Sequence, residues 1–394
     1  MLSGIRVLDL SAVLAGPFCG HQLAHMGAEV IKVEPVGRGD LARQLGADRA
    51  LSTAQMGVSF LAQNAGKKSL TLNLKSEQGK AIFHRLLASA QVLVENFRPG
   101  VMARLGLDYE SLKPRYPELI YCAISGFGQN GPLRQRPAYD QIIQVLSGVM
   151  SITGKPEDEP LRVGFPLADT IGGLTAAMAI AAALNKRPRG QMIDVALLDS
   201  LLTTMGWVVS NYLIAAVSPG QQGNENITSA PSGTFRTRDG LLNIAANEER
   251  QWQALITQLG CEYLAQDRRF ATREQRKVHR AALTVALEAR LSQKSAADWE
   301  AELTASGVPA GRVMTVPDIL AHPQIKQRNL VAEFEAVPGV GRTISLLRTG
   351  FQCDGQPNAV QSPPPTIGQH SEALLSELGY DAQAISQFKN DGVI

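Results

Sequence analysis

Ile5-Arg-Val-Leu-Asp-Leu10, the turn-like Ala15-Gly-Pro17, an apolar pattern through Leu23 and Met26 that closes at Gly27, and Glu29-Val-Ile-Lys-Val-Glu34 follow one another directly. They read as strand, loop, helix and strand, because short β-rich runs bracket a segment with helical spacing. The same alternation continues outward. Ser69 to Leu74 predicts a third strand, Ser76 to Ser89 a helix, and Val92 to Glu95 a fourth strand. After a further helix Leu119 to Ser125 predicts another strand, and Gln191 to Leu198 a strand running into a helix start. Parallel neighbours need long crossovers, so strands alternating with helices at this spacing predict an α/β domain with a largely parallel sheet. In such sheets ligands gather beyond the carboxyl ends of the strands.

The pattern changes after this domain. Ser218 to Ser232 is polar and rich in Gly, Pro, Asn and Ser, which predicts a linker. The expected organisation is a large domain over 1–217, a linker over 218–232 and a smaller α+β domain over 233–320. Residues 321–394 then hold a second linker, marked by Ser362-Pro-Pro-Pro365, and a helical segment from His370 that returns to the large domain.

Thirty-eight basic side chains against 36 acidic ones leave a formal net charge of +2, which gives no electrostatic argument for a nucleic-acid or membrane-surface protein. Cys19, Cys122, Cys261 and Cys353 are widely separated; reduced thiols in a cytoplasm are the simplest reading. The start of the chain lacks a secretory pattern. Leu167 to Leu184 is apolar but contains Asp169 near its start, which suits a buried helix better than a membrane span.

Asp169 lies in Val163-Gly-Phe-Pro-Leu-Ala-Asp-Thr-Ile-Gly-Gly173, between apolar and small residues. One reading makes it a helix cap; the other makes it a nucleophilic carboxylate. Arg38, Arg43, Lys75, Arg98 and Arg104 follow predicted strands and suit phosphate oxygens, although exposed bases are common anywhere. Gly126-Phe-Gly-Gln-Asn-Gly131 lacks the context of a dinucleotide loop, and no Walker sequence occurs. Its amides are candidates for stabilising an oxyanion, as is the loop Gln221-Gln-Gly-Asn224. The six histidines show no metal-binding spacing, and no metal site is expected.

Val13-Leu-Ala-Gly-Pro17, Gly27-Ala-Glu-Val-Ile-Lys-Val-Glu-Pro35 with Gly39-Asp40, and Val94-Glu-Asn-Phe-Arg-Pro-Gly100 occur in that order. With Ser125-Gly-Phe-Gly-Gln-Asn-Gly-Pro132, Pro137-Ala-Tyr-Asp140, the Asp169 segment, Gly190-Gln-Met-Ile-Asp-Val195, Gly307-Val-Pro309 and Gly368-Gln-His370 they resemble the class III CoA-transferase family over nearly the whole chain. This CaiB/BaiF family includes formyl-CoA:oxalate and L-carnitine CoA-transferases. The resemblance implies a large Rossmann-like domain and a small domain joined by two linkers, in a homodimer of interlocked protomers. It implies that Asp169 attacks a donor thioester to give a mixed anhydride, which the released CoA thiolate converts to an aspartyl-CoA thioester. The acceptor acid then reverses these steps. It assigns CoA binding to Leu14, Ala15, Leu72, Lys75, Asn96, Phe97, Arg98, Arg104, Tyr139 and Asp140, with Arg38 and Arg43 as phosphate partners. Acyl-CoA is a substrate in this scheme, and no tightly bound cofactor is expected.

The chain departs from formyl-CoA transferase at Leu14, where that enzyme has a substrate-facing glutamine, and lacks its tetraglycine loop between Gly223 and Ala246. A donor such as succinyl-CoA and a dicarboxylic acceptor are expected instead. Two rivals differ in class. An α-methylacyl-CoA racemase needs a second acid/base, normally His in Gly-His-Asp, where this chain has Ala138-Tyr139-Asp140; a phenol with an unperturbed pKa of about 10 serves poorly. A non-catalytic CoA-binding protein would not need Asp169.

Overall fold

The computed structural model describes residues 1–394, which form two compact units. The first comprises Met1–Val149, Arg162–Val217 and Pro323–Ile394; the second comprises Met150–Leu161 and Ser218–His322.

The first unit is built on a six-stranded, wholly parallel sheet: β1 (Arg6–Asp9), β2 (Glu29–Glu34), β3 (Lys67–Thr71), β4 (Val92–Glu95), β5 (Ile120–Ser125) and β6 (Gln191–Ala196). The strands lie in the order β3-β2-β1-β4-β5-β6, the doubly wound order in which ligands bind where the chain switches direction, between β1 and β4. The principal helices of this unit are α1 (Ala15–His25), α2 (Glu77–Leu87), α3 (Asp140–Leu146), α4 (Leu167–Leu184), α5 (Leu197–Thr204) and α6 (Gly206–Ala215).

Successive residues of a strand face opposite sides of the sheet, and here the two sides have different chemistry. Leu8, Ile31, Leu70 and Leu93 pack with Ile82, Phe83 and Leu86 of α2 and with Leu374, Leu375 and Ile385 near the carboxyl terminus. Each such side chain contributes about 1.5–3 kcal/mol by leaving water. The alternate residues Asp9, Lys32, Glu34, Lys67 and Ser69 are buried and polar. Lys67 Nζ meets Asp9 at 2.8 Å and Lys32 Nζ meets Asp40 at 2.8 Å. Lys67 also donates to the Pro17 carbonyl at 2.8 Å, tying this charged layer to α1.

The second unit has a three-stranded antiparallel sheet, β7 (Ser232–Arg236), β8 (Leu241–Ala245) and β9 (Ala310–Arg312), in that order. Its core gathers Leu242 and Ile244 with Trp252, Leu255, Leu283, Leu287, Trp299 and Leu303 from α7 (Glu249–Gln258), α8 (Arg280–Leu291) and α9 (Ala296–Ala305). The stretch 218–232 belongs to this unit, and so does Met150–Leu161. Gly223 N donates to the Gly154 carbonyl at 2.8 Å and Gln221 Nε2 to the Thr153 carbonyl at 3.0 Å, which joins two segments far apart in sequence.

Candidate functional site

Four successive strand ends build one cleft. It encloses about 1090 Å³ and is lined by Ser11 and Ala12 after β1, Pro35 to Asp40 after β2, Leu72 to Lys75 after β3, and Phe97, Val101 and Arg104 after β4. Its walls are largely apolar, and Arg38, Lys75 and Arg104 supply three exposed cations. Apolar walls with three cations at hand are the kind of surface that an apolar moiety bearing phosphates would require.

The floor is rigid. Asn96 spans the switch point, accepting from Ala12 N and donating to Ala12 O, each at 2.8 Å. Asp40 Oδ1 accepts from Val13 N at 2.9 Å and from Ala42 N at 2.9 Å. Val13 has φ +69°, an uncommon conformation for a β-branched residue, so the surrounding bonds hold a locally strained loop. Glu95 Oε2 accepts from Phe97 N at 2.7 Å. Burial, against smaller opposing effects of the hydrogen bonds from Phe97 N and the Tyr121 hydroxyl, pushes the Glu95 carboxyl up to about 7.

Asp169 stands in the first turn of α4, with Pro166 at the cap position. The helix is therefore capped from outside. Asp140, buried at the start of α3, accepts from Ala168 N at 2.8 Å and Asp169 N at 3.3 Å through Oδ1. Gly173 brings α4 against α1: a Cβ there would fall 2.6 Å from the Ala15 carbonyl. Residues four apart share a helix face, so Asp169 lies one turn from this contact, on the side of α4 that meets the amino end of α1. That end has no side-chain cap; Pro17 has no N–H and Phe18 N is bonded to the Leu14 carbonyl, so only the Ala15 and Gly16 amides could meet a carbonyl or phosphate oxygen.

Burial, reinforced by the negative charge of Asp140, raises the Asp169 pKa to about 7. An unfolded aspartate titrates near 3.8, so the fold resists ionisation: the penalty is absent below about pH 4, grows as pH rises, and is complete above about pH 7. A carboxyl this desolvated has the environment that a carboxylate nucleophile would need once ionised. The rate of acyl capture at low substrate is expected to rise with pH to a plateau, with a midpoint about 7; a profile flat from pH 5 to 9 would contradict this assignment.

The structure distributes the remaining sequence candidates unevenly. Arg38, Leu72, Lys75, Phe97 and Arg104 line the cleft. Leu14 and Ala15 begin α1, and Tyr139 is 66% exposed before α3. Arg98 lines a separate cavity of about 220 Å³ with Glu95, Tyr121 and Gln129. Arg43 is not available to phosphate: it is wholly buried and forks onto Glu34 with two bonds of 2.7 Å. Asp140 likewise spends its carboxylate on the amides of α4 rather than on a ligand. In the Gly126 to Gly131 loop, Gly128 N donates to Ser125 Oγ at 3.0 Å and Gln129 N to Asp194 Oδ2 at 2.9 Å, so these two amides are not free oxyanion donors. Sequence reading missed Ser11, Ala12 and Asn73, which the cleft motifs border directly.

The profile of the family described as CoA-transferase family III matches residues 2–371. The chain belongs to that family. This family III CoA-transferase is 38% identical over 383 residues to the succinate–glutarate CoA-transferase of Agrobacterium fabrum, covering 96% of this chain and 95% of that protein. It is 38% identical over 347 residues to the acetyl-CoA:oxalate CoA-transferase of Acetobacter aceti, covering 87% and 88%. Among solved structures, a CaiB/BaiF family protein from Brucella suis superposes with a TM-score of 0.83 at 39% identity, covering 95% of this transferase and 98% of that chain.

Proposed function

We propose that this CoA-transferase moves CoA from a donor such as succinyl-CoA to a free dicarboxylic acid, with Asp169 carrying the acyl and CoA groups in turn. The observation that carries this reading is a desolvated carboxyl on the face of α4 nearest the amino end of α1, whose preceding loop forms the cleft floor. The names of the relatives, one acting on glutarate and one on oxalate, support a dicarboxylic acceptor. The Asp169 carboxylate attacks the donor carbonyl, the C–S bond breaks, and CoA leaves as thiolate. The thiolate attacks the aspartyl carbonyl of the anhydride and expels the donor acid, leaving an aspartyl-CoA thioester. The acceptor carboxylate displaces CoA to form a second anhydride, and the thiolate takes the acceptor acyl group and frees Asp169. Thioester energy is retained throughout, so no nucleotide is consumed.

Tyr139 in place of a histidine supports transfer over racemisation. Four free thiols, three of them buried, support a reducing, cytoplasmic setting. Helix α6 buries none of its residues although Trp207, Leu213 and Ile214 are apolar, which with the family resemblance supports a homodimer.

Intact-protein mass after incubation with succinyl-CoA tests the reading. A CoA adduct is expected, discharged by glutarate more effectively than by oxalate or monocarboxylic acids, from a protein with the solution mass of two chains. Exchange of an α-proton with no adduct would replace this reading with the racemase.

A further inference from the structure

Gln144, one turn after Asp140 in α3, is completely buried. A buried amide costs free energy unless its donors and acceptor are met, and here all its side-chain bonds serve one purpose. Oε1 accepts from Val163 N at 2.9 Å, and Nε2 donates to the Phe165 carbonyl at 3.2 Å and to Asp140 Oδ2 at 2.7 Å. Asp140 in turn receives Ala168 N and Asp169 N. Two side chains four apart on one helix therefore hold the backbone from Val163 to Asp169.

That backbone has little other support. None of residues 162–167 is buried, and Phe165 is 49% exposed. Apolar packing does not set the approach to Asp169; these polar bonds do. Gln144 does not line the cleft, and its side-chain hydrogen bonds reach none of the residues that do.

We propose that Gln144 is a positioning residue for acyl transfer: its buried amide fixes the segment leading into Asp169 and orients the Asp140 carboxylate that caps it. The inference rests on Asp169 being the nucleophile. A displacement of the reacting carboxylate by about 1 Å can cost about 100-fold in rate. Gln144→Leu keeps the volume and removes all three bonds. Its adduct formation at saturating acyl-CoA is expected to slow by about 100-fold, while the acyl-CoA concentration for half-maximal rate stays within about threefold, since ground-state binding is untouched.

Gln144→Glu gives the sharper result. The protonated carboxyl of this variant has one donor, which keeps the bond to Asp140 and gives up the one to the Phe165 carbonyl, whereas the ionised form opposes the Asp140 carboxylate across a hydrogen-bond distance. Adduct formation by this variant is expected to come closest to wild type in acid and to fall as pH rises, reversibly, where the wild type reaches its plateau. The experiment is rapid-quench intact mass of wild type and both variants with succinyl-CoA from pH 5 to 9, with thermal midpoints at each pH. A Gln144→Glu profile of wild-type shape, or a Gln144→Leu variant whose only change is weaker acyl-CoA binding, would overturn the proposal. Absence of an adduct on the wild type would instead remove the assignment of Asp169, and this inference with it.

Discussion

Asp169→Asn is expected to lower CoA exchange by about four orders of magnitude or more, the scale seen when a covalent nucleophile is removed, while CoA still binds the cleft. An amide oxygen does not displace a thiolate, so neither anhydride nor aspartyl thioester forms and the mass adduct disappears. The substitution preserves shape, and the helix remains capped because Asp140 receives the backbone amides of 168 and 169, not the side chain of 169. The fold has another reason to accept it. Above pH 7 the wild type holds an ionised carboxylate beside Asp140 in a desolvated place, so the neutral variant is expected to melt at a higher temperature there and to lose that advantage below about pH 4. A variant that melts higher at pH 8, binds CoA and forms no adduct would fit every part of this account. One that retains a tenth of the exchange rate would end it.

The largest stability effect is expected at Arg43→Met. The guanidinium is buried, forks onto Glu34, donates to the carbonyls of Gln55 and Pro365 at 3.2 Å each, and lies 3.6 Å from the centre of the Phe60 ring. Removing one partner of a buried ion pair leaves the other uncompensated and costs about 3–5 kcal/mol, which lowers the thermal midpoint by roughly ten degrees in a domain of this size. The pH dependence identifies the cause. Burial opposes the ionised form of Glu34, but the hydrogen bonds and charges of Arg43 and Lys32 outweigh it and hold its pKa below the ordinary range. Stability from this pair is present above the unfolded value near 4.5 and is lost as pH falls through the folded value. The deficit of Arg43→Met relative to wild type should accordingly shrink below about pH 5, and adding Glu34→Gln should restore part of it. Scanning calorimetry from pH 4 to 8 measures both; a deficit independent of pH would mean that lost packing on Phe60 dominates.

Much of the fold was legible because apolar runs and turns alternate plainly. β2 and β4 begin and end where Glu29 to Glu34 and Val92 to Glu95 predict, and α4 covers Leu167 to Leu184. β3 is displaced toward the amino terminus, to Lys67–Thr71, for a definite reason. Lys67 and Ser69 look like solvent-facing residues, yet they face Asp9 and Glu34 inside the sheet. Partners separated by tens of residues hide such pairs from a pattern based on apolarity. Arg43 was misjudged through the same effect. Asp169 stands in the first turn of its helix, but the partner that receives its amide was not legible, since Asp140 lies in a different motif 29 residues earlier. Gln144 carries no sequence signal at all, because an amide on a helix reads as a solvated side chain. The attachment of 150–161 to the second unit depends on contacts with Gln221 and Gly223 that only folding reveals.

Every wall of the cleft comes from the first 105 residues, whereas the proposed nucleophile and the side chains bonded to its segment lie between residues 140 and 169. Under the proposed function, recognition of the handle common to all thioester substrates is encoded apart from the chemistry performed on them. On that reading, substitutions confined to residues 140–169 leave every wall of the cleft unchanged, so the chemistry and the grip on the CoA handle are open to change one at a time.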